Sequence, residues 1–160
     1  MSVKEISANL NGEGLKVCLA VSRFNDFLTR QLLSGAKDCL LRHGVSEKDI
    51  TVVWTPGANE LPMAVRRFLQ SSKTDAVAVL GAVIQGATPH ADLINTQVAR
   101  SLAGIAAESS VPVINGVVSA ENLEQAIERC GTKSGNKGWQ SAQAAIEMAN
   151  LYRQFDGKGD

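Results

Sequence analysis

Four continuous apolar runs limit what this chain can fold into more than any other feature. They are short and rich in Val and Ile, and nearly every consecutive position in them is apolar; they cover residues 15–21, 50–54, 76–84 and 111–118. A strand with one face in water alternates apolar and polar residues, whereas a strand covered on both faces does not. The runs therefore predict four strands buried on both sides, as in a parallel sheet.

The segments between and after these runs have helical periodicity. Apolar residues recur every three to four positions, for example at Leu61, Val65 and Phe68, and again in a long C-terminal segment through Ala142 and Ile146. The predicted order is βαβαβαβα, and the last helix is a long one. Because crossovers between parallel strands are right-handed, helices cover both faces of the sheet. The predicted fold is a three-layer α/β/α sandwich with a parallel four-stranded sheet.

Length and composition narrow the class of protein. The 160 residues fit a single domain. The 16 basic and 16 acidic residues balance and are dispersed, which favours a small-molecule partner over nucleic acid or a membrane surface. The longest apolar run has nine residues, well below the roughly 20 that span a bilayer. Three widely spaced cysteines without a CxxC pair suggest neither disulfides nor a metal site, and they fit the reducing cytoplasm.

Polar residues gather where the predicted strands end. They occupy residues 22–25, 56–60, 85–90 and 115–122. Ligands of parallel α/β folds bind beyond the carboxyl ends of the strands, so these four segments are the candidate site.

The most informative of these segments belongs to LGAVIQGATPH, residues 80–90. Its small residues let a ligand approach the backbone, and Thr88 and Pro89 are typical of the start of a helix. A free helix N-terminus binds anions. His90 follows directly, and its ordinary pKa of about 6.5 suits proton transfer near neutral pH.

Each candidate side chain also has a structural interpretation. His90 could be a solvated residue of a first helical turn, and Phe24 could be the edge of the core instead of a stacking surface for a planar ligand. Glu60 suits a helix dipole as well as the recognition of hydroxyl groups. His43, followed by Gly44 at a helix end, is best explained as a structural residue.

A second unusual stretch is ERCGTKSGNKGW, residues 128–139. Arg129, Lys133 and Lys137 lie there among three glycines between two helices. A solvated basic loop is the ordinary explanation, and a phosphate clamp is the other. Neither the Walker spacing nor a GxGxxG after a strand occurs, so a nucleotide-binding motif is not indicated.

These segments together resemble the 6,7-dimethyl-8-ribityllumazine synthases, and the resemblance covers nearly the whole chain. It implies that residues 1–160 form one domain. It rests on six blocks in the family's order and spacing. They are SRFND (22–26), LLSGAKDCLLRHGV (32–45), PGANELP (56–62), GAVIQGATPH (81–90), NLEQAIERCGTKSGNKGW (122–139) and AIEMANL (145–151). The architecture this implies is flavodoxin-like.

The resemblance implies a transferase of riboflavin biosynthesis. Its substrates would be 5-amino-6-(D-ribitylamino)uracil and 3,4-dihydroxy-2-butanone 4-phosphate. A Schiff base would form, phosphate would leave, and ring closure with loss of water would give the lumazine, without cofactor or metal. Much of the rate gain would come from proximity and orientation, helped by general acid and base transfer.

The resemblance also implies a role for each site residue. His90 would transfer protons, and phosphate would be bound by Arg129 and by the backbone of Gly86, Ala87 and Thr88. Phe24 would stack on the pyrimidine ring. The other substrate-binding residues would be Asn25, Ala58, Asn59, Glu60, Val83, Ile84, Asn115 and Lys137.

Several positions depart from the family pattern. Asn59 and Asn115 stand where aromatic residues are usual, Gln85 replaces the usual Arg, and Ala91 and Leu93 also replace common aromatics. Losing one stacking face costs about 0.5 to 1.5 kcal/mol of binding. We therefore expect weaker binding of the ring with the chemistry retained.

The family pattern further implies assembly. Residues 1–14 would be an arm that adds a strand to a neighbouring subunit, in a homopentamer or a 60-subunit icosahedral capsid, with riboflavin synthase as a further partner. Two other functions stay open: a protein that binds lumazine or flavin without turnover, and a shell component. His90 and Arg129 favour catalysis, because neither storage nor shell building needs a proton shuttle.

Overall fold

The computed structural model describes residues 2–86, 89–131 and 135–158. Strands and helices alternate along the chain, except that two helices follow the last strand, and 3₁₀ turns lie at Glu47–Asp49 and Ala58–Glu60. The elements are β1 (Val17–Ser22), α1 (Asp26–Arg42), β2 (Ile50–Thr55), α2 (Leu61–Ser71), β3 (Ala76–Ile84), α3 (His90–Glu108), β4 (Val113–Ala120), α4 (Leu123–Arg129) and α5 (Lys137–Phe155).

The four strands form one sheet in the order β2-β1-β3-β4, and every pairing is parallel. All of β1 is buried, and so is β3 up to its last residue. The edge strand β4 instead has the exposed residues Asn115 and Ser119. The prediction of a parallel four-stranded sheet is therefore confirmed. Among these four strands, burial on both faces along nearly the whole strand is found only in the two central ones, β1 and β3.

Helices cover both faces of the sheet. Residues of α1, α4 and α5, among them Leu32, Ala126 and Ile146, pack on one face. Residues of α2 and α3, among them Leu61 and Leu102, pack on the other. The three-layer α/β/α architecture is confirmed.

The N-terminal segment is attached to its own chain from Ser7 onward. The Asn150 side chain donates to the backbone carbonyls of Asn9 and Asn11, both at 3.0 Å, and Gln154 donates to that of Ser7 at 2.6 Å. Residues 7–11 are thus held by α5 of the same chain. Upstream, Val3 is 85% exposed.

No helix in the described part of the chain is long and apolar enough to cross a membrane.

Candidate active site

A cavity of about 530 Å³ opens beyond the carboxyl ends of β1, β2 and β3. Its lining combines the last residues of β3 with residues that follow each of the three strands. They are Phe24, Asn25, Gly57, Ala58, Asn59, Glu60, Ala82, Val83, Ile84, Gly86, His90, Ala91 and Ile94.

The chain after β1 presents Phe24 at this cavity. Its backbone N–H donates to the Pro56 carbonyl at 3.0 Å, so the segment stays beside the end of β2. Asn25 then turns into α1 with a left-handed φ of 64°, and its side-chain amide donates to the Ala82 carbonyl at 3.0 Å. The Phe24 side chain is left 70% exposed, which contradicts the core-edge alternative and leaves an aromatic face free.

The segment after β2 places a carboxylate in the cavity wall. The Thr55 hydroxyl donates to the Gly57 carbonyl at 2.9 Å and starts the 3₁₀ turn Ala58–Glu60. A Cβ on Gly57 would lie 3.1 Å from Oε1 of Glu60, so the carboxylate folds back closely over this glycine. Glu60 precedes α2 and is half-buried, within reach of a hydroxylated ligand in the cavity.

The imidazole comes from the start of α3. His90 is the first residue of that helix, its side chain is exposed, and Ala91 and Ile94 line the cavity beside it. The predicted phosphate-binding residues Ala87 and Thr88 lie outside the described residues, whereas Gly86 lines the cavity. Ile94 also lines the cavity and was not predicted as a site residue, although its spacing of four from His90 on a helix was a usable signal.

Arg129 and Lys137 line a different cavity, of about 380 Å³, beside the edge strand β4. Arg129 ends α4 and donates a hydrogen bond to the Ser119 carbonyl, while Lys137 begins α5. Lys133, the third cation of this stretch, lies outside the described residues. The structure therefore does not bring the predicted phosphate-binding arginine to the cavity of His90 within one chain.

Asn115 is not at the end of its strand, so that part of the prediction was wrong. It lies within β4, five residues before Ala120, in register with Val79. Its side-chain oxygen accepts the Val117 N–H at 3.0 Å, and the residue is exposed on the outer edge of the sheet.

One contact near the site could not be predicted from the spacing of residues in the sequence. The Gln85 side-chain amide donates to the Asp92 carboxylate at 2.9 Å, across the segment that leads from β3 to His90.

The three cysteines are buried thiols. Burial raises the pKa of Cys18 to about 12, that of Cys39 to about 11, with a further contribution from Asp38, and that of Cys130 to about 11. They are neutral at physiological pH, and none of them lines either cavity as described above.

A parallel α/β sheet with an aromatic face, a carboxylate and an imidazole around one cavity is the arrangement expected of an enzyme that acts on small molecules. Comparison with known proteins gives the particular family. The sequence model of the 6,7-dimethyl-8-ribityllumazine synthases matches residues 14–153. The chain belongs to this family, and it is a transferase of riboflavin biosynthesis.

Two curated relatives illustrate the match. The 6,7-dimethyl-8-ribityllumazine synthase of Chlorobaculum tepidum is 53% identical over 155 residues, which cover 97% of this chain and 100% of that protein. The synthase of the same name from Clostridium kluyveri is 52% identical over 154 residues, covering 96% and 100%.

Proposed function

We propose that this protein condenses 5-amino-6-(D-ribitylamino)uracil with 3,4-dihydroxy-2-butanone 4-phosphate. The products are 6,7-dimethyl-8-ribityllumazine, inorganic phosphate and water, in the penultimate step of riboflavin biosynthesis in the cytoplasm. The observation that most supports this proposal is the single cavity shared by Phe24, Glu60 and His90, in a chain whose family is defined by that reaction.

The cavity is suited to the pyrimidine substrate. The exposed ring of Phe24 offers a flat face for stacking, and the Glu60 carboxylate can accept hydrogen bonds from the ribityl hydroxyls. Val83 and Ile84, at the end of β3, supply backbone groups along the ring edge, with Asn25 and Ala58 beside them. Asn59 has no π face, so ring binding is weaker than with an aromatic there, by about tenfold at most.

His90 transfers the protons that the condensation requires. The substrate amine attacks the ketone and water leaves, giving a Schiff base; a proton is then removed from carbon as the phosphate leaves. Attack of the second nitrogen on the remaining carbonyl, with loss of a second water, closes the ring. The exposed imidazole lies at the cavity, where it can accept and return protons, while the bound geometry of the two substrates provides the larger share of the rate.

The phosphate site is completed by a second subunit. Arg129 and Lys137 line the cavity beside β4, away from His90 of the same chain, and Asn115 lies on the same edge strand. An assembly in which this edge of one subunit faces the His90 cavity of the next would unite both sets of residues. The exposed residues upstream of Ser7, including Val3, add a strand to a neighbour. We expect a pentamer at least, alone or in a capsid of 60 subunits, with riboflavin synthase as a further partner.

The test is turnover by the purified protein. Both substrates are added, lumazine absorbance and released phosphate are followed together, and particle mass is measured in the same buffer. Equal amounts of lumazine and phosphate are expected. Tight lumazine binding without turnover would replace the proposal with a storage protein; neither binding nor turnover would leave a shell component.

A further inference from the structure

Gln85 connects the sheet to the first turn of α3. Its backbone N–H donates to the Ala120 carbonyl at 2.7 Å, so the residue is attached to the end of β4 just after β3 ends. Its side-chain nitrogen donates to Oδ2 of Asp92 at 2.9 Å. The side chain therefore bridges directly from the sheet edge to a helix residue seven positions further along the chain.

The bridge reaches the helix on the side away from the cavity. Successive helix residues turn by about 100°, so His90 and Asp92 project in nearly opposite directions. The lining residues follow this geometry, because His90, Ala91 and Ile94 face the cavity and Asp92 does not. Within that turn the Leu93 N–H donates to the Pro89 carbonyl at 3.3 Å, so the turn itself is helical.

We propose that Gln85 is a positioning residue for His90, acting through Asp92. The first N–H groups of a helix have no intrahelical partner, so a side-chain contact can determine where the first turn lies. The hydrogen bond from Gln85 fixes the turn on its outer side and thereby sets where the imidazole stands in the cavity. For its effect on rate, this inference rests on the function proposed above.

The chemistry of the pair defines which replacements preserve the link. Gln85 supplies one N–H donor, and Asp92 supplies a carboxylate oxygen as acceptor. Q85R keeps a hydrogen-bond donor at position 85, and D92N keeps an acceptor at position 92. Q85M removes the donor and D92A removes the acceptor, and neither substitution introduces Gly or Pro into the backbone. Q70M, on the exposed outer side of α2, is the matched control for the methionine substitution.

Steady-state kinetics of these variants test the link. Q85M and D92A are each expected to lower kcat about tenfold, since small displacements of a reacting group have large effects on rate. KM for the pyrimidine stays within about twofold, because Phe24 and Glu60 lie outside the link. The Q85M/D92A double variant is no slower than either single variant, and Q85R, D92N and Q70M stay near the wild-type rate. Unchanged kcat in Q85M, or a tenfold loss in D92N and Q85R as well, overturns the proposal.

A second measurement is independent of turnover. The chain has only two histidines, so ¹³C labelling at histidine Cε1 gives two signals, and His43 is an internal reference at the far end of α1. Q85M is expected to shift the His90 signal and leave the His43 signal in place. A wild-type protein without turnover would contradict the proposed function, and an unmoved His90 signal in Q85M would contradict the positioning role.

Discussion

Asn136 joins three helices through a single side chain. Its amide nitrogen donates to the Gln31 carbonyl of α1 at 2.9 Å and to the Cys130 carbonyl at the end of α4 at 3.2 Å. Its amide oxygen accepts the N–H groups of Gly138 and Trp139 at 2.7 and 3.1 Å, which caps α5. Asn136→Ala removes all of these bonds at once.

The expected loss of stability follows from this count. Loss of an N-cap costs about 1 kcal/mol, and each of the two further hydrogen bonds contributes about 1 kcal/mol net. We therefore expect Asn136→Ala to lower the free energy of unfolding by about 3 kcal/mol. For a domain of this size the melting temperature falls by about 6 to 12 °C.

Asn122→Ala is the matched control. Asn122 caps α4, but its side-chain oxygen accepts one N–H, from Gln125 at 2.9 Å. That variant should lose about 1 kcal/mol. Urea unfolding followed by circular dichroism measures both losses, at one fixed protein concentration because any subunit association would add to apparent stability. Equal losses in the two variants would refute the view that Asn136 connects α1 and α4 to α5.

Three further predictions concern the site and the thiols. His90→Ala should lower kcat by about 10- to 100-fold without changing particle mass, whereas His43→Gln should leave kcat unchanged. An unchanged kcat in His90→Ala would make His90 an ordinary first-turn residue. Arg129→Ala should raise KM for the butanone phosphate far more than KM for the pyrimidine, with the exposed Lys37→Ala as control, and equal increases would argue against phosphate binding. Because burial raises their pKa to about 11 or 12, the cysteine thiols should resist iodoacetamide at pH 8 until the protein unfolds; rapid labelling of the folded protein would contradict this. The residues concerned are Cys18, Cys39 and Cys130.

The sheet was predictable because its central strands are covered on both faces. The run at residues 76–84 coincides with β3, since a short apolar run rich in Val is typical of a strand that is covered on both faces. The edge strand β4 was placed less well: the predicted run 111–118 begins two residues early and ends two early. Polar residues such as Ser119 are tolerated where one side of the strand is open, so the apolar pattern stops before the strand does.

The site was predictable where it depends on strand ends alone. Phe24, Glu60 and His90 follow three neighbouring strands, and the carboxyl ends of parallel strands meet at one edge. Arg129 also follows a strand in the sequence, because it comes after β4. It nevertheless lines the separate cavity beside that edge strand. The hydrophobic pattern does not indicate which side of an edge strand a following residue will occupy. The Gln85–Asp92 contact joins the residue after β3 to the first turn of α3, and neither the strand period nor the helix period relates two residues in different elements.

The attachment of the N-terminal segment to α5 affects the order in which the chain can take shape during synthesis. Asn150 and Gln154, which hold residues 7–11, follow them by 139 to 147 positions in the chain. Until the ribosome has made both stretches, residues 7–11 lack these hydrogen bonds. A nascent chain therefore acquires the attachment of its N-terminal segment only after the four strands and the helices before α5 have been synthesised.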